Sequence, residues 1–233
     1  MSATRYGEWH EKLGGFETHA AALGWIPRDA RVLDVGCASG YFARRLIDEK
    51  GCRVVGIEMD PGAAARARET CERVHVGSLE DRAFLDGVDE TADVVFFGDV
   101  LEHLADARPV LERARGWLAP GGAAICSIPN VAYWKIRLEL FRGRFEYQDV
   151  GILDRTHLRF FTRASFERVL GESGYRVLEA LPVCSDRSPL GFQTDGGAPS
   201  RAGALLARRL PGLFATQFLF RAVPGQPGPG AGA

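Results

Sequence analysis

Short apolar segments alternate with longer amphipathic segments along the first half of the chain. Runs rich in β-branched and aromatic residues are typical of buried strands, and they occur at residues 31–35, 53–58, 73–76, 93–97 and 123–128. Between them, apolar residues recur three or four positions apart, which predicts helices at about 40–50, 61–70, 80–86 and 106–117. This alternation is typical of βαβ units around a mainly parallel sheet.

The pattern changes after the fifth predicted strand. Residues 130–160 carry too many aromatic and charged residues for a simple crossover, and we interpret them as an inserted lid over the ligand edge of the sheet. A helix from a Thr162 N-cap to Gly174 follows. The last two strands are predicted at 176–183 and 213–223.

The length of the chain suits one domain with a sizeable core. We place that domain at residues 1–223 and its cofactor-binding part at about 30–130. Residues 185–204 are rich in Gly, Ser, Pro and Asp and are predicted to form a loop. The Gly- and Pro-rich residues 224–233 are predicted to form a disordered tail, because they bury too little apolar surface.

Charge and composition exclude several classes of partner. The chain has 29 Lys and Arg residues against 30 Asp and Glu residues, so its net charge of −1 gives no overall attraction to nucleic acid or an anionic membrane. The five cysteines form no C-x-x-C pair, and no run reaches the roughly 18 apolar residues that a membrane helix needs. We therefore expect a cytoplasmic enzyme, monomeric or homodimeric, that acts on a small molecule.

The segment VLDVGCASGYF, residues 32–42, predicts a ligand-binding loop. Ligands of open parallel sheets lie outside the carboxyl ends of the strands, and Asp34, Gly36 and Gly40 stand at the first such end. Glu58 ends the second strand, 22 residues after Gly36, where a carboxylate can accept both hydroxyls of a ribose.

The spacing of the glycines disfavours a pyrophosphate. A dinucleotide fingerprint that begins at Gly36 needs glycines at 38 and 41, but the chain has Ala38 and Tyr41 there. We expect the methyl group of Ala38 to be tolerated, on the assumption that this residue needs no positive φ.

Five motifs together carry a family resemblance. VLDVGCASG, VVGIE, GSLED, ADVVFFGDVLEHL and LAPGG, in this order across about residues 30–130, resemble the class I S-adenosylmethionine-dependent methyltransferases. The resemblance implies an α/β fold with a doubly wound, seven-stranded, mainly parallel sheet whose last strand is antiparallel. It also implies which residues contact S-adenosylmethionine: Asp34, Gly36 and Gly40 at the methionine half, Glu58 at the ribose, Leu79, Glu80 or Asp81 near the adenine, and Asp99 at the cofactor edge.

Methyl transfer to a hydroxyl also needs an acceptor for the proton. His103, which follows the fourth strand in GDVLEHL, is the first candidate base. His157 in GILDRTHLRFFT, with Asp154 and Arg155 nearby, is the second, and this string resembles a methyltransferase branch of glycan and secondary-metabolite pathways. A purely structural hydrogen bond is the alternative for each histidine.

A divalent ion is a further alternative for the same residues. Asp99, Glu102 and His103 with the distant His157 resemble the metal site of small-RNA 2′-O-methyltransferases and of some quinone O-methyltransferases. Such an ion polarises a hydroxyl. Paired acids near strand ends are common without a metal, so we do not favour this alternative.

The insertion gives clues to the acceptor. Between Lys135 and Arg163 there are seven basic residues against four acidic ones, which would attract an anionic acceptor, although a solvated helix face explains them equally well. Its aromatic residues are more typical of core packing than of ligand contacts: Tyr133, Trp134, Phe141, Phe145 and Tyr147.

The preferred function is transfer of a methyl group from S-adenosylmethionine to an oxygen, with nitrogen as the second choice, of a sugar or secondary metabolite. Two alternatives remain open. An NAD-linked oxidoreductase would use the same α/β plan, and a non-catalytic partner would bind the cofactor without turnover.

Overall fold

The computed structural model describes residues 16–184 and 209–225. The predicted loop at 185–204 and residues 226–233 of the predicted tail lie outside the described residues. No helix in the described ranges is long and apolar enough to cross a membrane.

The described strands are β1 Arg31–Val35, β2 Arg53–Glu58, β3 Arg73–Val76, β4 Ala92–Gly98, β5 Leu118–Pro129, β6 Tyr175–Val183 and β7 Gln217–Pro224. They form one sheet in the order β3-β2-β1-β4-β5-β7-β6. Strand β7 is antiparallel to both of its neighbours, and all other neighbouring pairs are parallel. This confirms the predicted fold class, including the antiparallel last strand.

Helices cover both faces of the sheet and form a separate core on each. One core contains Leu33 and Val35 of β1 with Trp117 and Phe166, and the other contains Val32 of the same strand, because successive side chains of a strand point to opposite faces. The described helices are α1 Phe16–Trp25, α2 Tyr41–Lys50, α3 Pro61–Ala67, α4 Arg82–Gly87, α5 Arg108–Ala114, α6 Trp134–Phe141, α7 Arg163–Glu172 and α8 Pro211–Phe214.

Two strands begin several residues away from their predicted starts. Strand β5 begins at Leu118 and not at residue 123, and it contains a register shift opposite Ala92 and Val94, so LAPGG is an irregular start of the strand. The last strand begins at Gln217, not at residue 213, because Pro211 starts the short helix α8.

The segment 130–160 leaves the sheet and returns to its ligand edge. None of the side chains of α6 is buried, and Phe141 is 89% exposed, so the expected core packing of the aromatic residues is wrong there, whereas Tyr133 is buried. The chain then returns to the turn Leu101–His103 after β4, where the N–H groups of Leu158 and Arg159 both donate to the carbonyl of Glu102, at 2.9 and 3.0 Å.

Left-handed backbone shapes the loop between β1 and α2. The φ angles of Gly36, Ala38 and Gly40 are 78°, 48° and 81°. The expectation that Ala38 needs no positive φ is therefore wrong. Its N–H donates to Oε2 of Glu58 at 2.9 Å, which holds the residue in this tight turn. A left-handed alanine costs about 1–2 kcal/mol.

The two glycines are required by packing inside the protein. A Cβ atom at Gly36 would lie 2.9 Å from Cγ2 of Val100, and one at Gly40 would lie 3.1 Å from Cα of Ala67 in α3. Gly40 is also the left-handed N-cap of α2. These residues bring the loop close to the turn after β4 and to α3.

We expect Ala38→Gly to raise the free energy of unfolding by up to about 1 kcal/mol, because relief of the left-handed strain exceeds the entropy cost of glycine, about 0.5–1 kcal/mol. Ala38→Val, a β-branched residue at positive φ, should lower it by about 1–3 kcal/mol. Denaturant unfolding measures both. Affinity of Ala38→Gly for S-adenosylhomocysteine should stay within about tenfold, or 1.4 kcal/mol. A destabilised Ala38→Gly protein contradicts the strain argument.

Candidate active site

Two carboxyl groups from neighbouring strands meet beside the β1–α2 loop. Asp34 is 3% exposed, and burial, with the nearby charge of Glu58, raises its pKa from 3.8 to about 7. Its Oδ2 has no hydrogen-bond partner in the described part of the chain. A buried acceptor without a donor fits a ligand that brings an ammonium or N–H group, such as the methionine half of S-adenosylmethionine.

Glu58 has a structural role in addition to the predicted one. Its Oε2 accepts the N–H of Ala38 and its Oε1 accepts the N–H of Asp60, at 2.9 and 2.8 Å. Each carboxylate oxygen can accept a second hydrogen bond. The side chain can therefore hold the loop and still accept ribose hydroxyls.

Asp99, directly after β4, is held by residues that no sequence motif indicated. Its φ is 52°, and its N–H donates to Oγ of Ser127 at 2.9 Å. Its Oδ1 accepts the Ser127 hydroxyl at 2.6 Å and Nε2 of Gln217 at 2.9 Å. The amide oxygen of Gln217 in turn accepts the hydroxyl of Thr18 in α1. The neighbouring strands β5 and β7 supply Ser127 and Gln217, and only the strand order shows this.

The residues predicted near the adenine follow β3. Leu79 is half-buried and packs against the core. Asp81 caps α4 by accepting the N–H of Ala83 at 2.9 Å, and Glu80 accepts the N–H of Ala105 at 3.0 Å. Leu79 is therefore the one of the three predicted residues whose side chain offers an apolar surface to a ring.

The two candidate bases lie side by side, although 54 residues separate them. The ring centroids of His103 and His157 are 4.8 Å apart, and Nε2 of His157 is 3.9 Å from Oε1 of Glu102. One ligand atom from each of these three residues lies within 4.8 Å of the others. Asp99 does not belong to this group, and its Oδ1 accepts hydrogen bonds from Ser127 and Gln217.

Burial favours the neutral forms of Glu102 and His157. Glu102 is 1% exposed, and burial, with the charges of Asp99 and Asp154, raises its pKa well above the ordinary value. Neither of its carboxyl oxygens has a hydrogen-bond partner in the described ranges. Burial, with neighbouring His103, lowers the pKa of His157. A neutral imidazole is available to accept a proton or to bind a metal.

Several arginines of the insertion already have carboxylate partners. Arg142 lies 2.7 Å from Glu139, and Arg155 lies 2.7 Å from Asp149, at exposed positions. This supports the solvated-surface interpretation for these two residues. The aromatic residues Phe145 and Tyr147 are also exposed, and both contact Phe160, which contacts His157.

The raised pKa of Asp34 predicts a pH-dependent stability of the cofactor-free protein. A folded pKa of about 7 against 3.8 means that the folded state binds the proton more tightly. The contribution of Asp34 to the free energy of unfolding should therefore be fully present below about pH 4, decrease as the pH rises to about 7, and be lost above it.

Asp34→Asn should remove the part of the pH dependence that Asp34 causes, which lowers the free energy of unfolding by on the order of 1–4 kcal/mol between pH 4 and pH 8. Denaturant unfolding at both pH values measures this free energy, and Asp48→Asn, at an exposed position, is the matched control. The same pH slope in the wild type and Asp34→Asn contradicts the assignment.

Comparison with known proteins places the chain in a family. Residues 9–180 match the methyltransferase-domain family. The chain is 31% identical over 164 residues to a ubiquinone biosynthesis O-methyltransferase of Azorhizobium caulinodans, covering 67% of this chain and 62% of that protein. It is 24% identical over 173 residues to a tRNA 5-carboxymethoxyuridine methyltransferase of Escherichia coli O157:H7, covering 65% and 64%. The alignments span 46% to 62% of the length of the first four curated relatives.

Solved structures share the fold. A chain of the complex between the Haloferax volcanii Trm112 methyltransferase activator and a methyltransferase aligns with a TM-score of 0.65 at 22% identity, covering 96% of this chain and 95% of that one. The Burkholderia thailandensis 1,6-didemethyltoxoflavin-N1-methyltransferase, solved with S-adenosylhomocysteine, aligns with a TM-score of 0.57 at 15% identity, covering 96% and 87%.

The family match, the strand order and the residues at the carboxyl edge agree, and they favour a methyl donor over the dinucleotide of an oxidoreductase. This chain belongs to the class I S-adenosylmethionine-dependent methyltransferases.

Proposed function

We propose that this protein transfers the methyl group of S-adenosylmethionine to a hydroxyl oxygen of a small molecule, with nitrogen as the second choice and a sugar or secondary metabolite as the acceptor. The observation that carries the proposal is the close pair of buried His157 and half-buried His103 beside the cofactor edge. Binding of the cofactor alone does not require two imidazoles at this position, whereas deprotonation of an acceptor hydroxyl requires a base.

The placement of the strand ends supports the cofactor roles that the family resemblance implies. Asp34 has the unpartnered oxygen for the amino group of the methionine half, and Gly36 and Gly40 shape the loop around it. Glu58 accepts the ribose hydroxyls, with Leu79 against the adenine. Asp99 lies between these residues and the histidines.

The reaction is an in-line displacement. A lone pair of the acceptor oxygen attacks the methyl carbon, the carbon–sulfur bond breaks, and its electron pair stays on the sulfur of S-adenosylhomocysteine. The hydroxyl proton moves to an imidazole. Alignment of donor and acceptor with exclusion of water provides most of the rate, and the insertion at 130–160 acts as the lid.

A backbone carbonyl group determines which ring nitrogen of His157 is protonated. Its Nδ1 lies 3.1 Å from the carbonyl oxygen of Ile152, which can only accept, so Nδ1 carries the proton. The lone pair is then on Nε2, on the side of Glu102. The lowered pKa of His157 keeps the ring neutral near pH 7 and able to accept a proton.

The tRNA methyltransferase among the relatives makes nucleic acid the competing acceptor class. The net charge of −1 supports a small molecule. An anionic small molecule fits the arginines of the insertion, since a bound carboxylate or phosphate can replace an exposed carboxylate partner.

An assay with labelled S-adenosylmethionine on nucleotide sugars, vicinal phenols and bacterial tRNA tests which class of acceptor is methylated. Label in tRNA alone contradicts the proposal.

We expect His103→Ala to lower kcat by at least about 100-fold and His157→Ala by at least about tenfold, because a general base contributes roughly 10²–10⁴. The dissociation constant of S-adenosylhomocysteine, measured by calorimetry, should change less than about threefold in both. His75→Ala on β3, whose partner is Glu90, is the matched control. Full activity of both cluster variants contradicts the base assignment.

A second candidate is favoured by Glu102, whose two buried oxygens have no hydrogen-bond partner in the described ranges. Carboxylate and imidazole groups are ligands of divalent ions, so Glu102, His103 and His157 would hold one ion, which polarises the acceptor hydroxyl. The cofactor roles are the same for both candidates.

This candidate predicts that a chelator lowers the methyl-transfer rate by at least about tenfold and that added Mn²⁺ restores it. Calorimetric titration with Mn²⁺ should show one site that Glu102→Gln removes. Asp99→Asn, outside the cluster, should retain that site. An unchanged rate in the chelator contradicts the metal and leaves the general-base proposal in place.

A further inference from the structure

The hydroxyl of Thr156 lies between a buried carboxylate and the first candidate base. Oγ1 of Thr156 is 2.6 Å from Oδ1 of Asp154 and 3.1 Å from Nδ1 of His103. Asp154 is 1% exposed. The same Nδ1 is 3.2 Å from the carbonyl oxygen of Thr156. One residue of the insertion therefore contacts the imidazole with two oxygens, across 53 residues of sequence.

The direction of these hydrogen bonds follows from the inventory of donors. The hydroxyl of Thr156 has one hydrogen, and the short distance to Oδ1 of Asp154 indicates that the hydroxyl donates this hydrogen in a hydrogen bond to that oxygen. Towards His103, the hydroxyl oxygen can then only accept, as can the carbonyl oxygen. Both contacts require the proton of His103 to be on Nδ1, which leaves the lone pair on Nε2.

A local turn alone does not explain this arrangement. Asp154 already stabilises its own turn by accepting the N–H of Thr156 at 2.8 Å. That contact needs no hydroxyl. The next residues also hold the turn after β4, through the N–H groups of Leu158 and Arg159 on the carbonyl of Glu102. The segment 154–159 thus contacts both the backbone and the imidazole of Leu101–His103.

We propose that Thr156, itself oriented by Asp154, is a positioning residue that fixes the tautomer and the ring orientation of His103. The inference rests on the proposed function, because it concerns the residue that accepts the proton. The insertion then has a catalytic role in addition to covering the site. His103 is correctly oriented only when the segment 154–159 packs against the turn Leu101–His103. A metal ligand on Nε2 would need the same orientation.

Two substitutions isolate the hydroxyl. Thr156→Val has nearly the same shape without the hydroxyl, and Thr156→Ser retains it. We expect Thr156→Val to lower kcat about tenfold, while KM for S-adenosylmethionine and the dissociation constant of S-adenosylhomocysteine stay within about twofold of the wild-type values. The kcat of Thr156→Ser should stay within about threefold of the wild-type value. Thr91→Val, at an exposed position before β4, is the matched control.

Nuclear magnetic resonance of the histidine ring nitrogens gives a readout that does not depend on activity. Long-range proton–nitrogen spectra show which nitrogen is protonated, and His103→Ala assigns the signal. The wild type should show the Nδ1–H form for His103, and Thr156→Val a mixture of the two forms. A wild-type Nε2–H form overturns the proposal even if Thr156→Val does not fold.

The outcomes separate this inference from the proposed function. If His103→Ala is inactive while Thr156→Val has wild-type kcat and wild-type ring signals, the positioning role is wrong and the base assignment stands. If His103→Ala is fully active, the base assignment is wrong, and loss of the Nδ1–H preference in Thr156→Val still supports the positioning contact.

Discussion

Four carboxyl side chains are buried along one edge of the sheet, and hydrogen bonds offset the cost of burial more fully for two of them than for the other two. Asp34, Glu58, Asp99 and Glu102 are each 8% exposed or less. Burial of a carboxylate is costly unless donors or positive charges compensate it. Backbone N–H groups compensate Glu58, and Ser127 and Gln217 compensate Asp99. Asp34 and Glu102 have raised pKa values instead, so this edge is suited to a ligand that brings its own positive charge or donors.

Backbone strain also occurs at this edge. Of the three described residues other than glycine with positive φ, two lie here, Ala38 and Asp99. Such conformations persist only when neighbouring contacts hold them, and they cluster where a ligand must be approached closely. Glu58 is one of these contacts, because it binds the N–H of Ala38. The acid that the family resemblance assigns to the ribose therefore also maintains the shape of the loop.

The insertion completes the site from outside the sheet. It adds His157 to the residues that follow β4, and Asp154 and Thr156 orient the other histidine. The exposed α6 and the aromatic residues after it extend from this point to the surface. The proposed cofactor contacts thus lie at the strand ends of the sheet, whereas the proposed acceptor chemistry depends on a segment that the sheet does not position.

Much of the fold and part of the site could be predicted from the sequence, since they depend on local patterns. The periodicity of apolar residues showed the strands and helices, and the acids at strand ends had to meet at one edge of a parallel sheet. The positive φ of Ala38 could not be predicted, because it depends on Glu58, 20 residues away. The partners of Asp99 and the contact of Thr156 with His103 also join segments 118 and 53 residues apart. Only the order of the strands and the return of the insertion bring such segments together, and no local pattern encodes either.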